Sequence, residues 1–362
     1  MVLRIAAIGY GDIAQRRHFP DIAALEGKAE LVAIAGRQRE RLQDCAKRFN
    51  IPHWFTDPAA MLREAAVDAV LVLTPPDSHA DYAEMAVRAG KHVMVEKPLV
   101  TTVGEGVRLC ESVRAQAAVK PVTLFPLPNV GNPEHRLVDR LLRAGAVGEV
   151  TSVECHRGHR GPTHAAWFYE KRLAGGGVLF DLGIYGLTSV ATLFGPAVGM
   201  TASCSRHFAT RVMDDGSIVS PDVEDSALIS LVLEGGIAAS LNANWNGCLS
   251  HHHTRMRAVV IGREGMLHFG VADGAVYVSR PDGDHRALPA SEAALFDGSA
   301  CRKFVPGERG KRASIVGDFV ARIEAGDTST RSLDIQTHVL EIIAKAYASA
   351  ASGDVIPIMQ RF

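Results

Sequence analysis

Short apolar runs alternate with helix-period stretches over the first third of the chain. Ile5-Ala6-Ala7-Ile8, Leu31-Val32-Ala33-Ile34-Ala35, Ala69-Val70-Leu71-Val72-Leu73, His92-Val93-Met94-Val95 and Pro121–Phe125 read as strands. Most are apolar throughout rather than alternating, the mark of strands covered on both faces. Helical patterns lie between them: Leu42, Cys45, Ala46 and Phe49 at i, i+3, i+4, i+7; a helix over Ser78–Ala89 closed by Gly90; and Val103, Val107 and Cys110. Connections long enough for right-handed helical crossovers predict parallel pairing, hence an α/β Rossmann domain with a parallel sheet.

The pattern changes after Phe125. Pro126, Pro128, Gly131 and Pro133 form a breaker-rich joint, so the expected domains are 1–125 and 126–362. A helix with Leu137, Leu141 and Leu142 ends at Gly145. Strand-like stretches follow at Glu149–Cys155, Gly199–Ser205, Asp225–Leu233, Gly236–Asn244, Met256–Gly262, Met266–Phe269 and Ala275–Ser279. Short turns such as Glu234-Gly235-Gly236 read as hairpins, so the second domain is expected to be α+β with a large, mostly antiparallel open sheet. The last helix carries an apolar face of Ile335, Val339, Ile342, Ile343 and Ala346, a candidate to pack back on the first domain.

The first strand runs into Gly9-Tyr10-Gly11-Asp12-Ile13-Ala14, a G-x-G-x-x-[GA] sequence in the strand-to-helix context that a dinucleotide requires. Gly9 permits the tight turn, Gly11 lets a pyrophosphate approach the backbone, and Ala14 keeps helix and strand close. The phosphates then face unpaired N–H groups at a helix N-terminus. After the second strand stands Gly36-Arg37-Gln38-Arg39, with no carboxylate before Glu40. A carboxylate there holds the ribose 2′-OH of NAD, whereas Arg welcomes a 2′-phosphate. NADP(H) is the expected cofactor and NAD the second choice, with Arg37 the main contact and Arg39 or Arg41 in support. The other reading, a solvated first helical turn, stays open.

Three further stretches carry chemistry. Glu96-Lys97-Pro98 closes the strand His92–Val95, at the strand ends where an open α/β sheet binds ligands. The neighbouring strand ends in Thr74-Pro75-Pro76-Asp77-Ser78-His79 on the same edge. In the second domain, Gly175-Gly176-Gly177 precedes Asp181 and Tyr185, which share a face if the segment is helical. On spacing alone the favoured reading is a capping Asp and a packed Tyr; after the glycine-rich loop, an acid and a phenol on one face suggest a substrate-facing edge.

Composition narrows the partners. With 39 Lys and Arg against 40 Asp and Glu, the net charge of −1 offers no bulk attraction to nucleic acid or an anionic membrane. There is no run of 18 apolar residues and no basic-then-apolar leader, so no membrane partner is expected. The six cysteines are scattered without a CxxC pair, which fits reduced thiols in the cytoplasm and no zinc site. His251-His252-His253 reads as a loop without metal, because consecutive side chains diverge. His156, His159 and His164, with Arg157 and Arg160, line either a substrate pocket or, the favoured reading, a surface loop. Trp167 is placed either over a substrate or in the core, and Glu224 and Asp225 are read as structural.

Taken together, Gly9–Ala14, Thr74-Pro75-Pro76 with His79, Glu96-Lys97-Pro98, Gly145-Ala146-Val147-Gly148, the Gly175–Tyr185 block, Val223-Glu224-Asp225 and Tyr347-Ala348-Ser349-Ala350 resemble the Gfo/Idh/MocA oxidoreductases, in the family's order. The resemblance implies a two-domain enzyme that moves a hydride between a nicotinamide and a sugar- or polyol-like hydroxyl. It implies homodimers or homotetramers packed through the second-domain sheet. It implies Lys97, Asp181 and Tyr185 as catalytic residues. The cofactor set is Gly9, Gly11, Asp12, Ile13, Ala14, Gly36, Arg37, Thr74, Pro75, His79, Glu96 and Lys97. Many members carry His where Tyr185 stands, so the chain is similar to the Tyr-bearing branch. A phenol titrates near ~10, so a base role near neutrality asks roughly 4 kcal/mol of its surroundings. Lys97 as the acid/base stays open, as do a silent cofactor-binding regulator and an enzyme that holds its nicotinamide without net redox.

Overall fold

The structure, a computed structural model, describes residues 2–128, 133–246, 257–270, 275–280, 301–304 and 314–362. The chain divides into two compact units, Met1–Asn129 with Ala313–Leu340, and Val130–Arg312 with Glu341–Phe362. The return of residues 313–340 to the first unit departs from the simple cut at 125/126.

In the first unit, β1 (Leu3–Ile8), β2 (Ala29–Ala35), β3 (His53–Phe55), β4 (Ala69–Val72), β5 (His92–Val95) and β6 (Leu124–Pro126) form one sheet in the order β3-β2-β1-β4-β5-β6. All its pairings are parallel. The order reverses beside β1, the switch point where such sheets bind ligands. The apolar runs explain the layers: Ile5, Ile8, Ile34, Leu71 and Met94 have 0–1 % of their surface exposed. Burying each such side chain contributes about 1.5–3 kcal/mol. The helix Ile315–Glu324 comes back from the far end of the chain to cover this sheet, with Phe319 stacked on Phe125 at 5.9 Å. In the following helix, Arg331–Ser352, Asp334 accepts from Arg114 and Thr337 lies against Cys110. The sequence pattern missed β3, which is three residues long with no fully buried side chain.

The second unit is built on β7 (Val150–Gly158), β8 (Ala197–Ser205), β9 (Arg211–Val212), β10 (Ile218–Val219), β11 (Ser226–Leu233), β12 (Ala238–Asn244), β13 (Arg257–Gly262), β14 (Met266–Phe269), β15 (Val276–Ser279), β16 (Cys301–Phe304) and β17 (Ile356–Pro357). Nine of them form a sheet in the order β16-β15-β14-β13-β7-β12-β11-β8-β17, and β9 pairs with β10. Only β12 and β7 run parallel in the nine-stranded sheet. Alternation along β11 sends Ala227, Ile229, Leu231 and Leu233 inward and leaves Leu228 and Val232 half exposed. The helix Ile184–Phe194 packs on the inner face, where a Cβ on Gly186 would stand 2.6 Å from Leu241. The most apolar helical stretch, 171–194, buries 72 % of its most apolar window within the protein. The triple histidine at 251–253 lies outside the described residues, and no metal-type cluster occurs among those described. Cys45, Cys110, Cys155 and Cys204 are free thiols.

Candidate active site

The loop after β1 is shaped for close approach. Gly9 has φ +99°, and a Cβ there would lie 2.6 Å from the Leu73 carbonyl carbon and oxygen at the end of β4. Gly11 faces open space, with nothing within 4 Å of its Cβ position. Ala14 is fully buried, Ile13 is 37 % exposed, and Asp12 pairs with Arg16 on the surface. Gln15 donates to the Tyr10 carbonyl at 2.7 Å and fixes the loop. The tight Gly9 and the open Gly11 fit a dinucleotide phosphate on this backbone. Residues 14–18 begin the helix with wide, i-to-i+5 hydrogen bonding.

At the end of β2, the Tyr10 ring occupies the space that any side chain at Gly36 would need, 2.2 Å from a Cβ there. Its hydroxyl donates to the Gln38 carbonyl. Arg37 is exposed. The expected helpers are engaged elsewhere: Arg39 lies over Trp54 and Arg41 donates to Gln38 Oε1.

The turn presenting Lys97 is held from both sides. His18, fully buried, meets Glu96 Oε1 through Nε2 at 2.8 Å, and the Lys97 backbone N–H donates to Glu96 Oε2 at 2.9 Å. Burial pushes the Glu96 carboxyl up. The hydrogen bond and charge of His18, and then Lys97, outweigh burial and bring the pKa down to about 2. On the other side, His79 places Nδ1 2.7 Å from the Pro98 carbonyl and Nε2 2.8 Å from the Thr74 carbonyl. Burial dominates and lowers the His79 pKa, against the pull of the two carbonyls and Glu96. His79 was expected among the cofactor contacts. With no exposed surface and both ring nitrogens on backbone carbonyls, it instead ties the Thr74-Pro75 loop to the Lys97-Pro98 turn. Glu96 is likewise turned onto His18 and its neighbour's backbone. The Ser78 hydroxyl donates to the Pro75 carbonyl at 3.0 Å and meets the Thr74 hydroxyl at 2.8 Å, where it can accept, which stiffens the same edge.

In the second unit, Asp181 lies in a wide-turned segment, Leu179–Gly183, and Tyr185 in the α-helix that follows. Asp181 is 9 % exposed. Its Oδ2 accepts from Trp245 Nε1 at 3.1 Å and lies 3.5 Å from His159 Nε2. Because the Gly161 N–H donates to His159 Nδ1 at 2.9 Å, the neutral imidazole carries its proton on Nε2, toward Asp181. The Arg157 guanidinium lies 3.9 Å over the Tyr185 ring. Arg157 and His159 are therefore not on a surface loop. Arg157 shares the inward parity of Val153 and Cys155 on β7, and the His159 N–H continues the ladder to the Asn244 carbonyl. Period-two reading of 153–159 was the available signal for both; Trp245 carried none. Trp167 stacks on Phe168 at 3.8 Å.

The three glycines meet the protein's own core. A Cβ on Gly177 would clash with the Glu224 carbonyl oxygen, and one on Gly176 with the Tyr347 hydroxyl. Glu224 accepts from the Gly177 and Leu179 N–H groups and from Tyr347, so it fixes the segment leading to Asp181. Burial raises its pKa. Asp225 accepts from the His207 and Phe208 N–H groups and pairs with Arg211, in keeping with its structural reading.

A strand–glycine loop–helix at the switch point of a parallel sheet, followed by a large, mostly antiparallel sheet, defines the class of two-domain nicotinamide oxidoreductases. The family model described as an oxidoreductase family with an NAD-binding Rossmann fold matches residues 3–123, and a GFO/IDH/MocA C-terminal domain model matches 135–268. The chain is 30 % identical over 303 residues to the dTDP-3,4-didehydro-2,6-dideoxy-alpha-D-glucose 3-reductase of Streptomyces violaceoruber, covering 81 % of this chain and 82 % of the relative. It is 31 % identical over 245 residues to the uncharacterized oxidoreductase sll0816 of Synechocystis sp., covering 66 % of this chain and 65 % of the relative. Levoglucosan dehydrogenase, in complex with NADH, has the same fold, with a TM-score of 0.85 at 20 % identity over 99 % of this chain and 100 % of that one. The chain belongs to the Gfo/Idh/MocA family of NAD-binding oxidoreductases.

Proposed function

We propose that the protein is an NADP(H)-preferring dehydrogenase or reductase acting on a CH–OH group of a sugar- or polyol-like compound. The observation that carries this is the Gly9–Ala14 loop beside the clamped Lys97 turn, at the carboxyl ends of a parallel sheet in a family of NAD-binding oxidoreductases. The sugar-like substrate class rests on the similarity to the Streptomyces dTDP-sugar 3-reductase. NADP(H) rests on Arg37, which is exposed after a second strand that ends without a carboxylate.

The bound nicotinamide supplies the hydride donor or acceptor. Gly9, Gly11 and Ala14 bring the backbone to its phosphates, Asp12 and Ile13 open the helix there, and Thr74 and Pro75 form the neighbouring edge. Lys97 hydrogen-bonds the reacting oxygen, its turn fixed by Glu96 and His79. The Tyr185 hydroxyl exchanges the proton, with its ring plane set by Arg157. Asp181, held by Trp245 and His159, accepts from a neighbouring substrate hydroxyl. The outward-facing row of the large sheet, including the half-exposed Leu228 and Val232, is assigned to pairing with a second copy, and the protein to the cytoplasm.

The test is reduction of NADP+ and NAD+ over a panel of sugars, inositols and dihydrodiols. Turnover on a polyol with a lower KM for NADP+ is expected. Tight NADPH binding without turnover on the whole panel, or a lower KM for NAD+, overturns the respective half of the reading.

A further inference from the structure

Among the described residues, Arg280 of the second unit is buried and Arg157 and Arg211 are half-buried, and Arg157 departs from the other two. Arg211 is paired with Asp225 at 3.3 Å, and Arg280 with Glu264. A cation withdrawn from water normally keeps such a partner, because desolvation is otherwise uncompensated. Arg157 is half-buried, and its Nε, like those of Arg211 and Arg280, is shut off from solvent with no hydrogen-bond partner, so what sets it apart among the described residues is the lack of a carboxylate. Its guanidinium rests on the Tyr185 ring, and among the described residues no carboxylate is paired with it. The ring face offers a cation–π contact but accepts none of the N–H groups in the guanidinium plane. Asp181, the acid of this cluster, is engaged by Trp245 and His159.

We propose that Arg157 is a specificity residue that binds an anionic group, a carboxylate or a phosphate, on the substrate. Guanidinium presents a planar fork of donors that matches either oxyanion in a bidentate way. Its position against Tyr185 puts that anion a short distance from the carbon being oxidised or reduced. The substrate class is therefore an acidic sugar derivative: a sugar acid if the group is a carboxylate, or a sugar phosphate or nucleotide-diphosphate sugar if it is a phosphate. This rests on the reading that Tyr185 faces the substrate.

The experiment compares kcat/KM on matched probes with full-length protein and saturating cofactor: D-glucose against D-gluconate and D-glucuronate, and D-glucose against glucose 6-phosphate and UDP-glucose. The parent is expected to favour at least one anionic probe over glucose by about tenfold or more, the worth of one charge-assisted hydrogen bond. In Arg157→Gln that ratio falls toward one through KM, and in Arg157→Lys only part of it is retained, because the ammonium keeps the charge but lacks the planar fork. The carboxylate and phosphate arms show which group is bound. A parent that prefers the neutral sugar, or an Arg157→Gln variant with an unchanged ratio, overturns the proposal. Equal loss of kcat on neutral and anionic probes also overturns it, because Arg157 would then act only through Tyr185. If no probe is turned over, the redox reading fails by itself. Calorimetric binding of gluconate and glucose 6-phosphate then decides the anion site: weakening by about tenfold in Arg157→Gln supports it, and absent or equal binding overturns it.

Discussion

Replacing Glu96 with Gln removes the charge that anchors the Lys97 turn while keeping the shape of the side chain. In the native state this carboxyl sits at about 2 rather than the ordinary 4.5, because His18 and Lys97 favour its ionised form over the cost of burial. That displacement, at about 1.4 kcal/mol per pH unit, is worth roughly 3 kcal/mol of stability. The sign follows from the depressed native value. The contribution is fully present above the unfolded-state pKa near 4.5 and is lost as the pH falls toward 2. Urea unfolding of the parent and Glu96→Gln, measured from pH 7 to pH 3, is the assay. The variant should be weaker by roughly 3 kcal/mol at pH 7, and the gap should close to about 1 kcal/mol at pH 3. Asp68, held low by Arg4, titrates in both proteins and cancels in the difference. A gap below about 1 kcal/mol at neutral pH, or one constant down to pH 3, would refute the argument that His18 and Glu96 form a stabilising buried pair.

Three other outcomes follow from the same geometry. Tyr185→Phe should lower kcat by about 10²- to 10⁴-fold, and turnover within a few-fold of the parent would remove the phenol from proton transfer. Arg37→Ser should raise the KM for NADP+ about tenfold while changing that for NAD+ little, as steady-state kinetics with both cofactors would show. Gly9→Ala forces a side chain into positive φ and onto the backbone at Leu73; it should cost more than about 2 kcal/mol in unfolding free energy and weaken cofactor binding, and a variant as stable as the parent counts against the tight turn.

The parallel sheet was legible because its strands are buried on both faces and so read as unbroken apolar runs, as in Ala69–Val72. Gly9 and Ala14 were legible because strand, turn and helix follow in a fixed order. What escaped were residues whose role depends on a distant partner. His79 looks like a polar residue at a ligand-binding edge, and only the position of the Pro98 carbonyl turns it into a clamp. The glycine block predicted close approach, and close approach is found, but to Glu224 and Tyr347 rather than to a ligand. Spacing gives the need for a small residue and not what fills the space. β16 and β17 were missed because short edge strands carry little pattern. The apolar face of the last helix raised a return to the first domain, but the division that places residues 313–340 with the first unit and 341–362 with the second is a tertiary choice that the pattern does not encode.

The placement of Arg157 and His159 opposite Tyr185 and Asp181 follows from two repeat lengths. Residues two apart on a strand stand about 6.6 Å from each other on one face, and residues four apart on a helix are separated by about 6 Å along the axis. A strand end running beside a helix start can therefore present two side chains in step with an i, i+4 pair. Here Arg157 meets Tyr185 and His159 meets Asp181. The wide turn of Leu179–Gly183 lies where the two elements come into step, and an extra residue in a helical turn shifts which side chain faces which partner. Tightening that turn by deleting one residue between Asp181 and Tyr185 would leave one pair in place and break the other. The lost pair would then identify whether substrate recognition through Arg157 or anchoring of Asp181 limits the reaction: a rise in KM for an anionic probe marks the first, a fall in kcat on every probe the second.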